Sequence, residues 1–232
     1  MKTILAIGLV SVGLNLSALG NTISNVGFDN GQAVPDGTLN GLSDNFTPTT
    51  PLNLSGPITG VTVTLNVSGG YVGDLYAYLV HPTGPNSGGF AVLLNRVGVS
   101  SSDSFGNAAG GLNVKLAATG TDIHTSPTFP SGNTFQADGR NISPLSEAAA
   151  FDSAGTAGLG SFNGMNPNGT WVLYVADVVS GGGTFTLNSW GLDITTDTTT
   201  IPDTAFFGLD ALVAFAGLLM IYANRRARSA KS

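Results

Sequence analysis

Apolar and polar positions divide this chain into three parts. Residues 4–19 form one short apolar run and residues 205–223 a second, while the long stretch between them alternates. The alternation is clearest over residues 58–67, where Val61, Val63, Leu65 and Val67 interleave with Thr62, Thr64 and Asn66. A period of two places the apolar residues on one face of a strand. The same pattern predicts strands over residues 74–80, 90–94, 112–117, 171–176 and 184–194, bounded by Gly, Pro, Asn and Ser. Ser180-Gly181-Gly182-Gly183 reads as a hairpin loop joining the last two. No long segment of residues 21–200 has a helical period. The predicted class is all-β, an antiparallel β-sandwich or jelly roll.

Trp171, Leu173 and Val175 share one strand face, and Trp190, Leu192 and Ile194 share another. Facing one another across two sheets, they are the candidate core. Residues 118–165 break the pattern. No strand persists there, Thr, Ser, Pro and Gly abound, and only residues 145–151 hint at a helix. Structureless loops of that length are uncommon in compact domains. The stretch is therefore expected to be functional, or to be ordered by a bound ion.

Composition narrows the classes. Only 9% of the 232 residues are charged, against about 25% in an ordinary soluble domain. The absence of Cys excludes a disulfide framework, thiol catalysis and iron–sulfur centres. The formal net charge is −6, but the basic residues crowd the ends. Between residues 21 and 200 only Arg96, Lys115 and Arg140 face twelve acidic side chains, a net of −9. Phosphate recognition needs clustered Lys and Arg, so nucleic acid is excluded as a partner.

The two ends read as addresses. Met1-Lys2, the apolar run and small Ala18 and Gly20 have the layout of a secretory signal peptide covering residues 1–20. Gly8, Gly13 and Asn15 argue against a buried N-terminal helix instead. The second run has the length of a bilayer span and is followed by Arg225, Arg226, Arg228 and Lys231, the positive-inside pattern. The body, residues 21–200, is thus expected outside the cytoplasmic membrane. Ile201-Pro202-Asp203, the apolar helix and the Arg cluster together resemble bacterial PEP-CTERM sorting signals, most closely their Val-Pro-Asp variants. The resemblance implies an exosortase-like enzyme as partner, one that removes the tail during surface sorting. Ile stands here for Val, and a plain single-span anchor is the simpler alternative.

Three further motifs carry a second resemblance. Residues 73–84, Gly-Asp-Leu-Tyr-Ala-Tyr-Leu-Val-His-Pro-Thr-Gly, are similar to a strand and turn of the P domain, or Homo B domain, of subtilisin-like proprotein convertases. Residues 168–177, Asn-Gly-Thr-Trp-Val-Leu-Tyr-Val-Ala-Asp, resemble its second signature, and residues 183–192 with Trp190 its third. They occur in family order within a core of about residues 33–195. The resemblance implies an eight-stranded jelly roll of galactose-binding-like type, and association with a serine protease. The sequence holds only His81 and His124, neither in a subtilisin-type motif, and no strand–helix alternation. The chain is accordingly expected to be non-catalytic.

His81 reads as a surface-turn histidine and His124 as part of the long loop, without zinc-ligand spacing. No cofactor is required, but calcium is a candidate, because it takes oxygen from Asp, Asn and carbonyl groups. Asp74 and Asp177 are candidate ligands by motif, and Asp103 and Asp152 by loop position. Tyr71, Tyr76 and Tyr78 are candidate ligand-facing aromatics, since exposed rings on a sheet can stack on sugars. Three functions follow as expectations. The first is a structural or adhesive protein of the cell envelope or extracellular matrix, in contact with polysaccharide or surface proteins. The others are a calcium-dependent carbohydrate- or protein-binding module and a protease-associated domain.

Overall fold

The computed structural model describes residues 22–23, 28–47, 54, 56–82 and 88–197. The signal segment, Ile201-Pro202-Asp203, the apolar run 205–223 and Arg225 and Arg226 lie outside the described residues.

Among the described residues ten strands form two sheets: β1 (Thr22–Ile23), β2 (Phe28–Ala33), β3 (Leu42–Phe46), β4 (Ile58–Ser68), β5 (Leu75–Pro82), β6 (Gly88–Asn95), β7 (Gly111–Asp122), β8 (Thr134–Gln136), β9 (Trp171–Asp177) and β10 (Thr186–Thr196). One sheet runs β1-β10-β4-β7-β8, with β2 also paired to β10, and the other runs β3-β9-β5-β6. Pairing is antiparallel except between β7 and β8. The predicted all-β sandwich is present, extended by β1, β2, β3 and β8, which are too short or too polar to alternate visibly.

The alternating residues decide which faces meet. Val61, Val63, Leu65 and Val67 of β4 are buried, as are Trp171, Leu173 and Val175 of β9 and Trp190, Leu192 and Ile194 of β10. All belong to one continuous core. Burying each such side chain contributes roughly 1.5–3 kcal/mol. In β10 the register shifts between Leu187 and Ser189 against β4. This bulge lets Leu187 and Trp190, three residues apart, both point inward.

Two expectations are corrected. β9 and β10 do not form a hairpin: β9 lies in the four-stranded sheet and β10 in the six-stranded one. The glycines at 181–183 carry the chain from one sheet to the other at one end of the sandwich. Residues 118–165 are not a loose loop. They hold the end of β7, the strand β8 and short 3₁₀ turns at Ile123–Thr125, Ala148–Asp152 and Leu159–Phe162. Phe151, Leu159 and Phe162 are buried there, so apolar anchors spaced too widely for a period secure the stretch.

Candidate functional site

β5 and β9 run antiparallel side by side, with Leu75 opposite Asp177 and Val80 opposite Val172. Odd-numbered residues of both strands face the core, so the pleat forces His81 inward at one end and Asp177 inward at the other. Each is a buried polar group, and each resolves its burial differently.

At the first end His81 is completely buried and stacks on Trp171, ring centroids 3.9 Å apart and planes 5° from parallel. Its Nδ1 is 2.9 Å from the Thr170 carbonyl oxygen and its Nε2 is 2.8 Å from that of Asn166. The expected surface-turn histidine is therefore a core residue. β5 continues through Pro82, and inward phase at 81 follows from the alternation of Leu75, Ala77 and Leu79.

At the other end three carboxylates act on one another electrostatically. Asp177 is 1% exposed, and neither side-chain oxygen meets a donor in good hydrogen-bond geometry, although the Val179 amide lies close enough to act on the carboxylate. Burial raises its pKa to about 7, with the negative charges of Asp36 and Asp74 adding and the Val179 amide offsetting part of the effect. Asp74, in the 3₁₀ turn Val72–Asp74 ahead of β5, is also pushed up, first by burial; Arg96 opposes this and Asp36 reinforces it. Asp36 sits in the turn after β2 and accepts the Gly181 amide at 3.2 Å. The Thr38 amide donates to the Asp177 carbonyl at 2.9 Å, pinning that turn to the end of β9.

Beside these carboxylates lies a cavity of about 320 Å³, lined by Tyr71, Asp74, Phe105, Gly106 and the loop Val179–Gly182. Tyr71 is 46% exposed and Phe105 83%. Two glycines shape it. A Cβ on Gly73 would lie 2.3 Å from the Phe105 carbonyl oxygen, so the Phe105 loop can rest on this turn only if residue 73 is Gly. Gly182 has φ +79°, and a Cβ there would come within 2.6 Å of the Tyr71 ring and 3.2 Å of Asp74 Oδ2. Asp103 Oδ1 accepts the amides of Phe105 and Gly106, both at 3.0 Å, and so holds Phe105 at the rim.

The four candidate calcium ligands do not gather into one site. Asp74 and Asp177 belong to the cluster just described, whereas Asp103 is spent on its turn. Asp152 accepts the Ser101 amide at 3.0 Å, and hydrogen bonding by Ser101 lowers its pKa. Among the described residues no three His, Asp or Glu groups are arranged to hold a metal ion.

The candidate aromatics also separate. Tyr76 and Tyr78 lie on the outer face of the four-stranded sheet together with Tyr174 and Phe90. Tyr78 and Tyr174 stack with centroids 4.6 Å apart, Tyr76 lies 5.7 Å from Tyr78, and Phe90 lies 5.5 Å from Tyr78. These half-buried rings spend their faces on one another rather than offering a flat platform to a sugar. Burial and the neighbouring phenols raise the pKa of both Tyr76 and Tyr78. Of the three candidates only Tyr71 stands exposed over a cavity.

His124 lies within the 118–165 stretch. Its Nδ1 is 2.8 Å from Asp138 Oδ2 and its Nε2 is 2.9 Å from the Val99 carbonyl oxygen. Arg140 donates to Asp138 Oδ1 at 3.1 Å, to Asp122 Oδ2 at 3.3 Å and to the Phe151 carbonyl at 2.9 Å. This buried network orders the stretch, filling the role expected of a bound ion.

Asp36, Phe105 and Tyr174 escaped the sequence reading. Pro35-Asp36-Gly37 signals only a turn, and Phe105 stands alone among Ser and Gly. Tyr174 alternates with core residues and gives no hint of its stacking partners.

No protein-family profile matches the chain, and no curated protein does. Among solved structures, a chain in the crystal structure of the Aeromonas sobria serine protease with its chaperone is similar over 77% of this chain. It is 17% identical, with a TM-score of 0.42. The serine protease of Aeromonas sobria is similar over 76%, at 18% identity and a TM-score of 0.40. This chain spans 27% of the length of each. Likeness of that degree assigns neither fold nor function.

Proposed function

We propose that this chain is an exported, non-catalytic module of P-domain type that acts by contact, as a structural or adhesive protein of the cell envelope or extracellular matrix. Export follows from the apolar segments at the two ends, with Ile201-Pro202-Asp203 before the second and Arg225 and Arg226 behind it. In this reading an exosortase-type enzyme cuts the tail near residue 203. The assignment to the P-domain type rests on the three motifs in order.

The observation that carries the contact reading is the cavity at the Asp74 end of the sandwich, over which Tyr71 and Phe105 stand exposed. Exposed aromatics around a hollow mark a contact surface rather than core. A hydrolytic role is disfavoured by the two imidazoles. Both imidazoles are buried, their ring nitrogens lying against carbonyl or carboxylate oxygens rather than against a hydroxyl nucleophile.

Fractionation with mass spectrometry of the mature termini tests the sorting. The expected result is an N-terminus near residue 21 and a C-terminus between residues 201 and 204, on a protein at the surface or in the medium. An unprocessed chain in the cytoplasm would overturn export. Turnover of casein by the purified chain would overturn the non-catalytic assignment.

A further inference from the structure

We propose that the cavity between Tyr71, Phe105 and the Val179–Gly182 loop receives a lysine side chain of a partner protein, its ammonium seated against Asp74. This rests on reading the chain as a surface module that works by contact, and it names the chemistry of the partner.

Charge comes first. Asp36, Asp74 and Asp177 stand together, and the cation acting on Asp74 is Arg96. Arg96 is already engaged elsewhere: its Nε donates to the Gly73 carbonyl at 3.3 Å, one terminal nitrogen donates to the Ser104 carbonyl at 3.2 Å, and its carbon lies 5.9 Å from the Phe151 ring centre. Negative charge at this end exceeds what the described residues neutralise. Asp36, held by the amide of the lining residue Gly181, adds to the negative potential at Asp74.

The walls then decide which cation. Among the described residues no three His, Asp or Glu groups are arranged to hold a metal ion, which turns the choice to an organic cation. The cavity is lined by two aromatic side chains and a carboxylate, which suits an alkyl stem ending in a positive charge. The stem lies along the rings, while the head meets ring faces and carboxylate together. Asp74 is only 7% exposed, so access to it is narrow. A slender ammonium on a flexible chain enters more readily than a broad, planar guanidinium.

The binding test uses the full chain and a fluorescein-labelled Gly-Ser peptide carrying three lysines, followed by anisotropy at fixed ionic strength. Its control is the same peptide with acetylated lysines. The lysine peptide should bind and the acetylated one should not. The double variant Tyr71→Ser/Phe105→Ser keeps the net charge and should weaken binding at least tenfold, and Asp74→Asn should do the same. Both aromatics are exposed, so the double variant is expected to fold, which far-UV circular dichroism checks. Equal binding by the double variant would mean diffuse attraction to an acidic surface and would overturn the proposal. So would absence of binding to the parent chain, or calcium binding that survives in the double variant and displaces the peptide. Correctly processed termini together with any of these would leave export standing and remove only the lysine site.

Discussion

The strand pair β5–β9 carries a buried polar group at each end. His81 closes one end, stacked on Trp171, with both ring nitrogens within 3 Å of carbonyl oxygens. Asp177 closes the other with neither oxygen in good hydrogen-bond geometry. The strands, the pleat and the degree of burial are the same, so the difference lies in what the loops bring. Beyond His81 the segment 166–170 turns its carbonyls toward the ring, whereas beyond Asp177 the nearby turns bring two more carboxylates. Burial alone therefore does not identify a functional group. The histidine is structure; the aspartate, equally inward, sits at the end of the sandwich that carries the cavity, where two further carboxylates act on it.

The largest expected effect is at the closed end. Trp171→Ala should cost about 3–5 kcal/mol, read as a fall in the urea midpoint, because it opens a cavity and strips His81 of its stacking surface. A loss below about 1 kcal/mol would show that the end is not closed by this pair. His81→Leu comes next, at about 1–3 kcal/mol, since it removes the ring's hydrogen bond to one of the two part-buried carbonyls, that of Thr170 or of Asn166. Unchanged stability would place water or solvent at those oxygens.

Asp177→Asn should act in the opposite direction. The carboxyl has a folded pKa of about 7 against 3.8 in the unfolded chain. A raised carboxyl pKa means that the folded state binds the proton more tightly. The resulting stability is fully present below pH 4 and is lost as pH rises through 7. The parent chain should thus unfold more easily at pH 8 than its other groups require. Asp177→Asn should recover roughly 1–2 kcal/mol at pH 8 and flatten the profile between pH 4 and 7. Equal midpoints for parent and variant at pH 8 would contradict the comparison. The smallest effect belongs to Phe105→Ser, within about 0.5 kcal/mol for so exposed a side chain, although the peptide experiment should register its loss clearly.

The His124–Asp138–Arg140 cluster sharpens the contrast from within the fold. It also buries charge, yet each carboxylate oxygen of Asp138 meets a donor. Removing one member of such a group strands the others. Ionic content alone does not distinguish this cluster from the acidic one at the Asp177 end, but pairing does.

Much of the fold was legible because burial in a sandwich repeats every second residue. Val61, Val63, Leu65 and Val67 declared β4, and the six-residue core set of β9 and β10 was readable from phase alone. The same phase contained the inward aim of His81, obscured by the Pro that follows it. Pairing was not legible. Strands adjacent in sequence can lie in one sheet or in two, so Ser180-Gly181-Gly182-Gly183 resembled a hairpin while joining β9 to a strand of the opposite sheet. The chain by itself determined that its body would be an acidic β-sandwich, with Asp74 and Asp177 at strand ends. Only the tertiary structure decided that these two meet Asp36 beside Tyr71 and Phe105, while Asp103 and Asp152 serve elsewhere. Convergence of side chains from four separate turns depends on loop paths, which are held by single glycines and hydrogen bonds and leave no period in the sequence.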